Sequence, residues 1–165
     1  MEQFLTLVLA AVGKTLGDPA VKALLDDQQI RERPALPEDD NSTYVERRER
    51  GYSLIWVEQP HVKNPAYRRP GRDVLVLVGC HFYDEGYQGY NQYGGELPNG
   101  LAFGDAREAA LRKLGGSAWR YEKDGKVRRE RWEFADTDRQ LNLTYSPDER
   151  SIRLVYFGIR EFFTV

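Results

Sequence analysis

The fold is decided by DGKVRRERWEFADTDRQLNLTYSPDERSIRLVYF, residues 124–157. Three clusters of turn residues punctuate this segment: Asp124-Gly125, Asp136-Thr137-Asp138 and Ser146-Pro147-Asp148. Between and after them lie three runs with strand composition: 127–134, 140–145 and 152–157. In the middle run, Leu141, Leu143 and Tyr145 alternate with polar residues, which predicts a strand with one buried and one solvated face. The Asp-Gly pair favours a tight hairpin turn, so the segment predicts antiparallel strands.

The first half of the chain has the same kind of pattern, preceded by helices. The apolar stretch 4–12 predicts a first core helix, and Asp18-Pro19 predicts the start of a second. An aspartate carboxylate can accept the free amide hydrogens of a first helical turn, and proline suits the first helical position. Strands are expected at 43–48 and 52–58, around the turn Glu49-Arg50-Gly51, and over the apolar run 74–82.

A further helix is expected to begin at Asp105, before the second group of strands. Asp105 and Glu108 have the spacing of a capping box, and Gly115-Gly116 would end the helix. The order of helix and then strands therefore occurs twice. This predicts an α+β fold in which tandem units form one antiparallel sheet with the helices packed on one face. We expect one domain over 1–165, with possible repeated halves at 1–82 and 97–165, and exposed loops at 31–41 and 63–72.

Composition excludes several classes of protein. The 165 residues include 41% hydrophobic residues and carry a net charge of −2, so no global basic field attracts nucleic acid. One cysteine excludes an internal disulfide and a Cys-rich zinc site, and two histidines are too few for a multi-imidazole metal site. We expect no metal and no cofactor. The stretch 4–12 is too short to span a membrane and has no basic leader, so a cytoplasmic protein without membrane association is expected.

Basic residues occur in clusters, the longest at Lys126, Arg128, Arg129 and Arg131. Acidic residues such as Glu130 and Glu133 are interleaved with them. This pattern predicts solvated strand faces with salt bridges rather than a phosphate-binding track.

The segment 83–96, hereafter the tyrosine loop, is the candidate functional site. No Lys or Arg occurs between Arg72 and Arg107, whereas that window contains five acidic residues. The loop is punctuated by glycines, and its candidate partner-binding residues are Tyr83, Asp84, Glu85, Tyr87, Tyr90, Tyr93 and Glu96. Tyrosines offer contact area at low entropic cost, and carboxylates favour a partner with a basic surface. The alternative is a connector that packs its tyrosines on its own sheet.

Catalytic interpretations are less well supported. Cys80 and His81 are neighbours on an expected strand, so their side chains point to opposite faces and cannot form a nucleophile–base pair. Cys80 is expected to be a small buried apolar residue, and His61 to lie at the surface. Asp84, Glu85 and Glu96 leave a carbohydrate-binding or carbohydrate-active protein as the first alternative function. A structural subunit that uses the loop for self-association is the second. The expectation is a binding protein without enzymatic activity.

The segment 97–115, which reads LPNGLAFGDAREAALRKLG, resembles a short motif of small bacterial proteins. In those proteins a helix opening with Gly-Asp precedes antiparallel strands, as in outer-membrane assembly lipoproteins and the tandem fold of β-lactamase inhibitor protein. The segment is also similar to immunity proteins of bacterial toxin–immunity systems. This resemblance implies a protein-binding scaffold whose partner is a cognate toxin with a basic surface, and it leaves the oligomeric state open.

Overall fold

A computed structural model of the chain describes residues 2–68 and 75–160. The helices are α1 (Glu2–Ala11), α2 (Pro19–Asp27) and α3 (Arg107–Leu114). The strands are β1 (Ser42–Arg47), β2 (Tyr52–Glu58), β3 (Leu75–Tyr83), β4 (Trp119–Lys123), β5 (Lys126–Phe134), β6 (Arg139–Tyr145) and β7 (Ile152–Ile159). The predicted helix at 4–12 and the strands of both halves are thereby confirmed. The predicted loop 31–41 is irregular, as expected. Residues 69–72 of the predicted loop 63–72, and residue 74 of the predicted strand 74–82, lie outside the described residues.

All seven strands form one antiparallel sheet, in the order β1-β2-β3-β7-β6-β5-β4. Strands β1 to β3 form one meander and β4 to β7 another, and the two meet where β3 pairs with β7. The α+β class with a single antiparallel sheet is confirmed. The two halves differ in content, because two described helices precede the first meander and one precedes the second.

The described helices pack on one face of the sheet, which we call the helical face. A row of cross-strand partners defines this face: Tyr52, Phe82, Val155, Leu143 and Glu130. Phe4 of α1 packs on Tyr52 with ring centroids 4.5 Å apart, and the Tyr52 hydroxyl donates to Gln28, directly after α2. At the other end of the row, Arg107 of α3 pairs with Glu130. All three helices therefore cover the same side.

One of the two predicted helix caps is present and the other is wrong. Asp18 caps α2, because its carboxylate accepts the amide hydrogen of Ala20 at 2.9 Å and Pro19 follows as the first helical residue. Helix α3 begins two residues after Asp105 and has Ala106 as its N-cap, without a side-chain cap. The Asp105 carboxylate instead accepts from the Ala102 amide at 2.9 Å and pairs with Lys113 at 2.7 Å. The lysine at the far end of α3 attracts the carboxylate away from the first turn.

The basic strand β5 distributes its charges over both faces. Arg131 pairs with Glu133 at 3.3 Å, so the predicted salt bridge is present, although the two side chains are only 21% and 25% exposed. Glu130 does not take part, because strand alternation points it to the helical face, where it is fully buried against Arg107. On the face opposite the helical face, which we call the second face, Arg131 also lies over Trp119 at 5.5 Å and Arg129 lies over Tyr121 at 5.1 Å.

The centre of the second face is closed by Tyr156, which is 2% exposed. Its ring lies over Gly79 and Gly158, and a Cβ at either glycine would collide with the ring. Glycine at both positions lets the tyrosine lie flat on the sheet. Within the described residues, no helix is both long and apolar enough to cross a lipid bilayer.

Candidate binding surface at the tyrosine loop

The tyrosine loop leaves the end of β3 and is anchored on the turn between β1 and β2. Gly51 of that turn has a left-handed backbone with φ of 77°. A Cβ at Gly51 would collide with backbone atoms of residues 91–93, so glycine is required both for the turn and for the close passage of the loop. The Asn91 amide donates to the Arg48 carbonyl, and the Tyr93 amide donates to the Tyr83 carbonyl, both at 2.9 Å. The loop is therefore fixed at its far end as well as at its base.

A stack of three side chains holds the first part of the loop on the second face of the sheet. The rings of Tyr83 and Tyr90 are nearly parallel, with an interplanar angle of 4° and centroids 3.6 Å apart. The Arg48 guanidinium lies 4.9 Å above the Tyr90 ring and also donates to the Gln88 carbonyl at 3.2 Å. Below, the Tyr83 hydroxyl lies 3.2 Å from the Ser53 hydroxyl. Both tyrosines are almost completely buried, at 5% and 3% exposed.

The second part of the loop crosses to the helical face, where Tyr93 enters the core. Its ring lies 4.8 Å from Phe82 and 5.8 Å from Phe4, and the residue is 7% exposed. Burial raises the pKa of Tyr83, Tyr90 and Tyr93, so all three hydroxyls are neutral at physiological pH. Three of the four candidate tyrosines thus hold the loop in place, as the connector alternative expected. Tyr87 alone is half-buried, beneath the Arg153 guanidinium at 5.6 Å.

The loop is less acidic in three dimensions than its sequence suggests. Asp84 pairs with Arg153 at 2.8 Å, and its side chain is only 15% exposed. Arg153 also donates to the Glu85 carbonyl at 3.1 Å, so β7 supplies the cation that the loop sequence lacks. The loop therefore has cations beside it in the fold although its own segment has none, because Arg48 and Arg153 come from distant parts of the chain. Glu85 and Glu96 remain exposed, although Glu85 also accepts the Gln92 amide hydrogen at 2.8 Å.

Two depressions flank the loop, and they differ in charge. On the helical side, a cavity of about 370 Å³ has an aromatic floor made by Phe4, Tyr52 and Tyr93. We call it the aromatic pocket, and its rim carries Gln3, Asp27, Gln28, Glu49, Arg50, Gln92, Gly94 and Gly95. On the other side, a wider groove is lined by Tyr87, Arg128, Arg129 and Arg153, without an acidic residue among its lining. The acidic residues at the pocket rim, Asp27 and Glu49, are therefore not the carboxylates that the sequence predicted for the site.

The candidate catalytic groups lie outside both depressions. Cys80 is fully buried, which raises the pKa of its thiol, and it is a small core residue as expected. Burial lowers the pKa of His81 to about 4, so its imidazole is neutral at pH 7. His61 is exposed, as predicted, with Glu58 at 3.7 Å. Asp84, Glu85 and Glu96 line neither the aromatic pocket nor the groove.

Sequence reasoning missed three functional candidates, Asp27, Glu49 and Arg50. They come from the end of α2 and from the turn between β1 and β2, and only the tertiary fold brings them beside the tyrosine loop.

Comparison of the chain with protein-family models, curated proteins and solved structures yields no match. The functional argument therefore depends on the geometry of this surface.

Proposed function

We propose that this protein is a protein-binding inhibitor of the immunity type, which acts in the cytoplasm of a bacterium and neutralises a cognate toxin. The tyrosine loop is the central element of its binding surface, and the protein has no catalytic activity of its own. The observation that carries the proposal is the construction of the loop. It is exposed at its tip yet fixed by the Tyr83–Tyr90 stack, by the Asp84–Arg153 pair and by the insertion of Tyr93 into the core.

A rigid exposed loop suits inhibition, because a loop that is already ordered loses little conformational entropy when it binds. The buried tyrosines provide this order, whereas the exposed Glu85, Gln88 and Gln92 are available for contact. Glu85 and Glu96 favour a partner with a basic surface by steering its approach. Asp84 is a positioning residue for the loop, because Arg153 neutralises it.

The test changes an exposed carboxylate of the loop, that of Glu96, and leaves the contacts that hold the loop in place unchanged. Affinity capture with the tagged protein from its host would supply the partner, and stopped-flow kinetics would follow complex formation. Glu96→Lys should slow association about tenfold at low salt, and the effect should shrink as salt screens the charge. The matched control is Glu38→Lys, since Glu38 is also exposed but precedes the start of β1, whereas the loop is anchored at the turn after the end of β1. Equal association rates for both variants would overturn the loop as the binding surface.

A further inference from the structure

The aromatic pocket has the composition of a site for one side chain of a binding partner. Its volume of about 370 Å³ is at the low end of ligand sites, which suits a single side chain rather than an extended oligosaccharide. Phe4 and Tyr52 lie 4.5 Å apart with their planes tilted by 41°, and Phe4 and Tyr93 lie 5.8 Å apart. Phe4, Tyr52 and Tyr93 are 5%, 1% and 7% exposed, so the floor is a closely packed aromatic cluster that leaves only a small apolar surface open.

Two carboxylates stand at the rim without a cationic partner. Glu49 is exposed, and among the described residues its carboxylate has neither a hydrogen bond nor an ion pair. Among the described residues, the hydrogen-bond donor to the Asp27 carboxylate is the neutral side-chain amide of Gln28, at 2.8 Å. Arg50, the cation in the pocket lining, donates to the backbone carbonyl and the side-chain oxygen of Gln28, at 3.2 and 3.4 Å. The rim thus has an excess of negative charge that an incoming cation would compensate.

A buried hydroxyl in the pocket wall supplies an independent indication of a ligand. Tyr93 is more than nine-tenths buried, and within the described residues its hydroxyl has no hydrogen-bond partner. The hydroxyl lies at Gly95, where the lack of a side chain leaves room for it. An unsatisfied buried polar group is costly, so a ligand that donates a hydrogen bond to this oxygen would gain stability.

We propose, on the basis of the proposed function, that the aromatic pocket receives an arginine side chain of the protein partner. A guanidinium is planar, permanently charged and presents five N–H donors in a rigid fork. It can therefore bind a rim carboxylate and donate to the Tyr93 hydroxyl while its aliphatic chain covers the apolar floor. The pocket opens beside the exposed part of the tyrosine loop, at Gln92, so a partner that covers the loop also covers the pocket.

The experiment uses the purified full chain and needs no identified partner. The probes are acetyl-Gly-Arg-Gly-amide and the same peptide with citrulline, which has nearly the same shape as arginine but is uncharged. Amide NMR spectra should show shifts at Gln92, Gly94 and Gly95 with a Kd on the order of millimolar for the arginine peptide. The citrulline peptide should bind at least about threefold more weakly. Shifts confined to other regions, or equal affinity for both peptides, would overturn the inference.

Variants assign the interaction to the pocket. Asp27→Asn and Glu49→Gln should each weaken binding of the arginine peptide about threefold, as expected for a partly exposed ion pair. Glu38→Gln is the control and should leave the Kd unchanged. Tyr93→Phe should weaken binding without lowering the melting temperature, because the removed hydroxyl has no partner in the free protein. Unchanged affinity in both rim variants would exclude this pocket, whereas the Glu96→Lys result decides the proposed function separately.

Discussion

The strongest prediction about the loop concerns Tyr90, because one substitution removes the centre of the Arg48–Tyr90–Tyr83 stack. Replacing a buried aromatic side chain by alanine costs about 3–5 kcal/mol. Tyr90 is 3% exposed but lies in a surface loop, where the emptied space can be filled by solvent, so the lower end of about 3 kcal/mol applies. About 1 kcal/mol of this comes from ring stacking on Tyr83. For a chain of 165 residues, the total lowers Tm by roughly 6–12 °C.

The matched control is Tyr87→Ala in the same loop. Tyr87 is half-buried and contacts Arg153 at 5.6 Å, so its removal should cost less than about 1 kcal/mol. Circular dichroism melts give the two stabilities, and amide hydrogen exchange shows whether the loop opens. In Tyr90→Ala the Gly86 and Tyr93 amides, which donate to carbonyls in the native loop, should lose protection. Equal melting shifts for the two variants, with these amides still protected, would refute the account of how the loop is held.

Three other predictions concern the scaffold. Asp18→Ala removes the cap of α2 and should cost about 1 kcal/mol in a urea titration, and an unchanged midpoint would argue against the cap. Glu130→Gln leaves Arg107 without its charge partner and should cost about 3 kcal/mol, whereas Glu130→Leu combined with Arg107→Leu should recover most of the loss. The folded-state pKa of His81, about 4, lies below the ordinary histidine value of 6.5, so the unfolded state binds more protons between these values and stability falls as pH decreases. The free energy of unfolding from urea titrations should fall by about 2 kcal/mol between about pH 6.5 and 5. The same pH dependence in His81→Gln as in the wild type would contradict the assignment to His81.

The local parts of the fold could be predicted from the sequence. The Asp124-Gly125 turn has positive φ at both residues, as a tight hairpin turn requires, and the 49–51 turn ends at the left-handed Gly51. The cap by Asp18 was also evident, because Pro19 fixes where the helix begins. The prediction that Asp105 caps α3 was wrong, because its carboxylate pairs with Lys113 in the last turn of that helix. The residue spacing around the first turn gives no indication of that contact.

The candidate site was less predictable because its parts come from distant segments. The composition of 83–96 indicated the segment, but the loop's burial depends on Arg48, Arg153 and Phe4, which lie far from it in sequence. The aromatic pocket likewise needs α2 and the turn between β1 and β2. The placement of Glu130 was accessible in principle, since alternation along β5 assigns it to the face opposite Arg129 and Arg131.

The claim that the tyrosine loop is the partner-binding surface is tested most directly by amide hydrogen exchange of the protein alone and in complex with its captured partner. Exchange monitors the whole chain at once, so it can also detect binding at the second face of the sheet. The account predicts added protection at residues 85–96 and at the neighbouring turn 48–51, with little change in β4 to β6. Protection of β4 to β6 with an unchanged loop would contradict it.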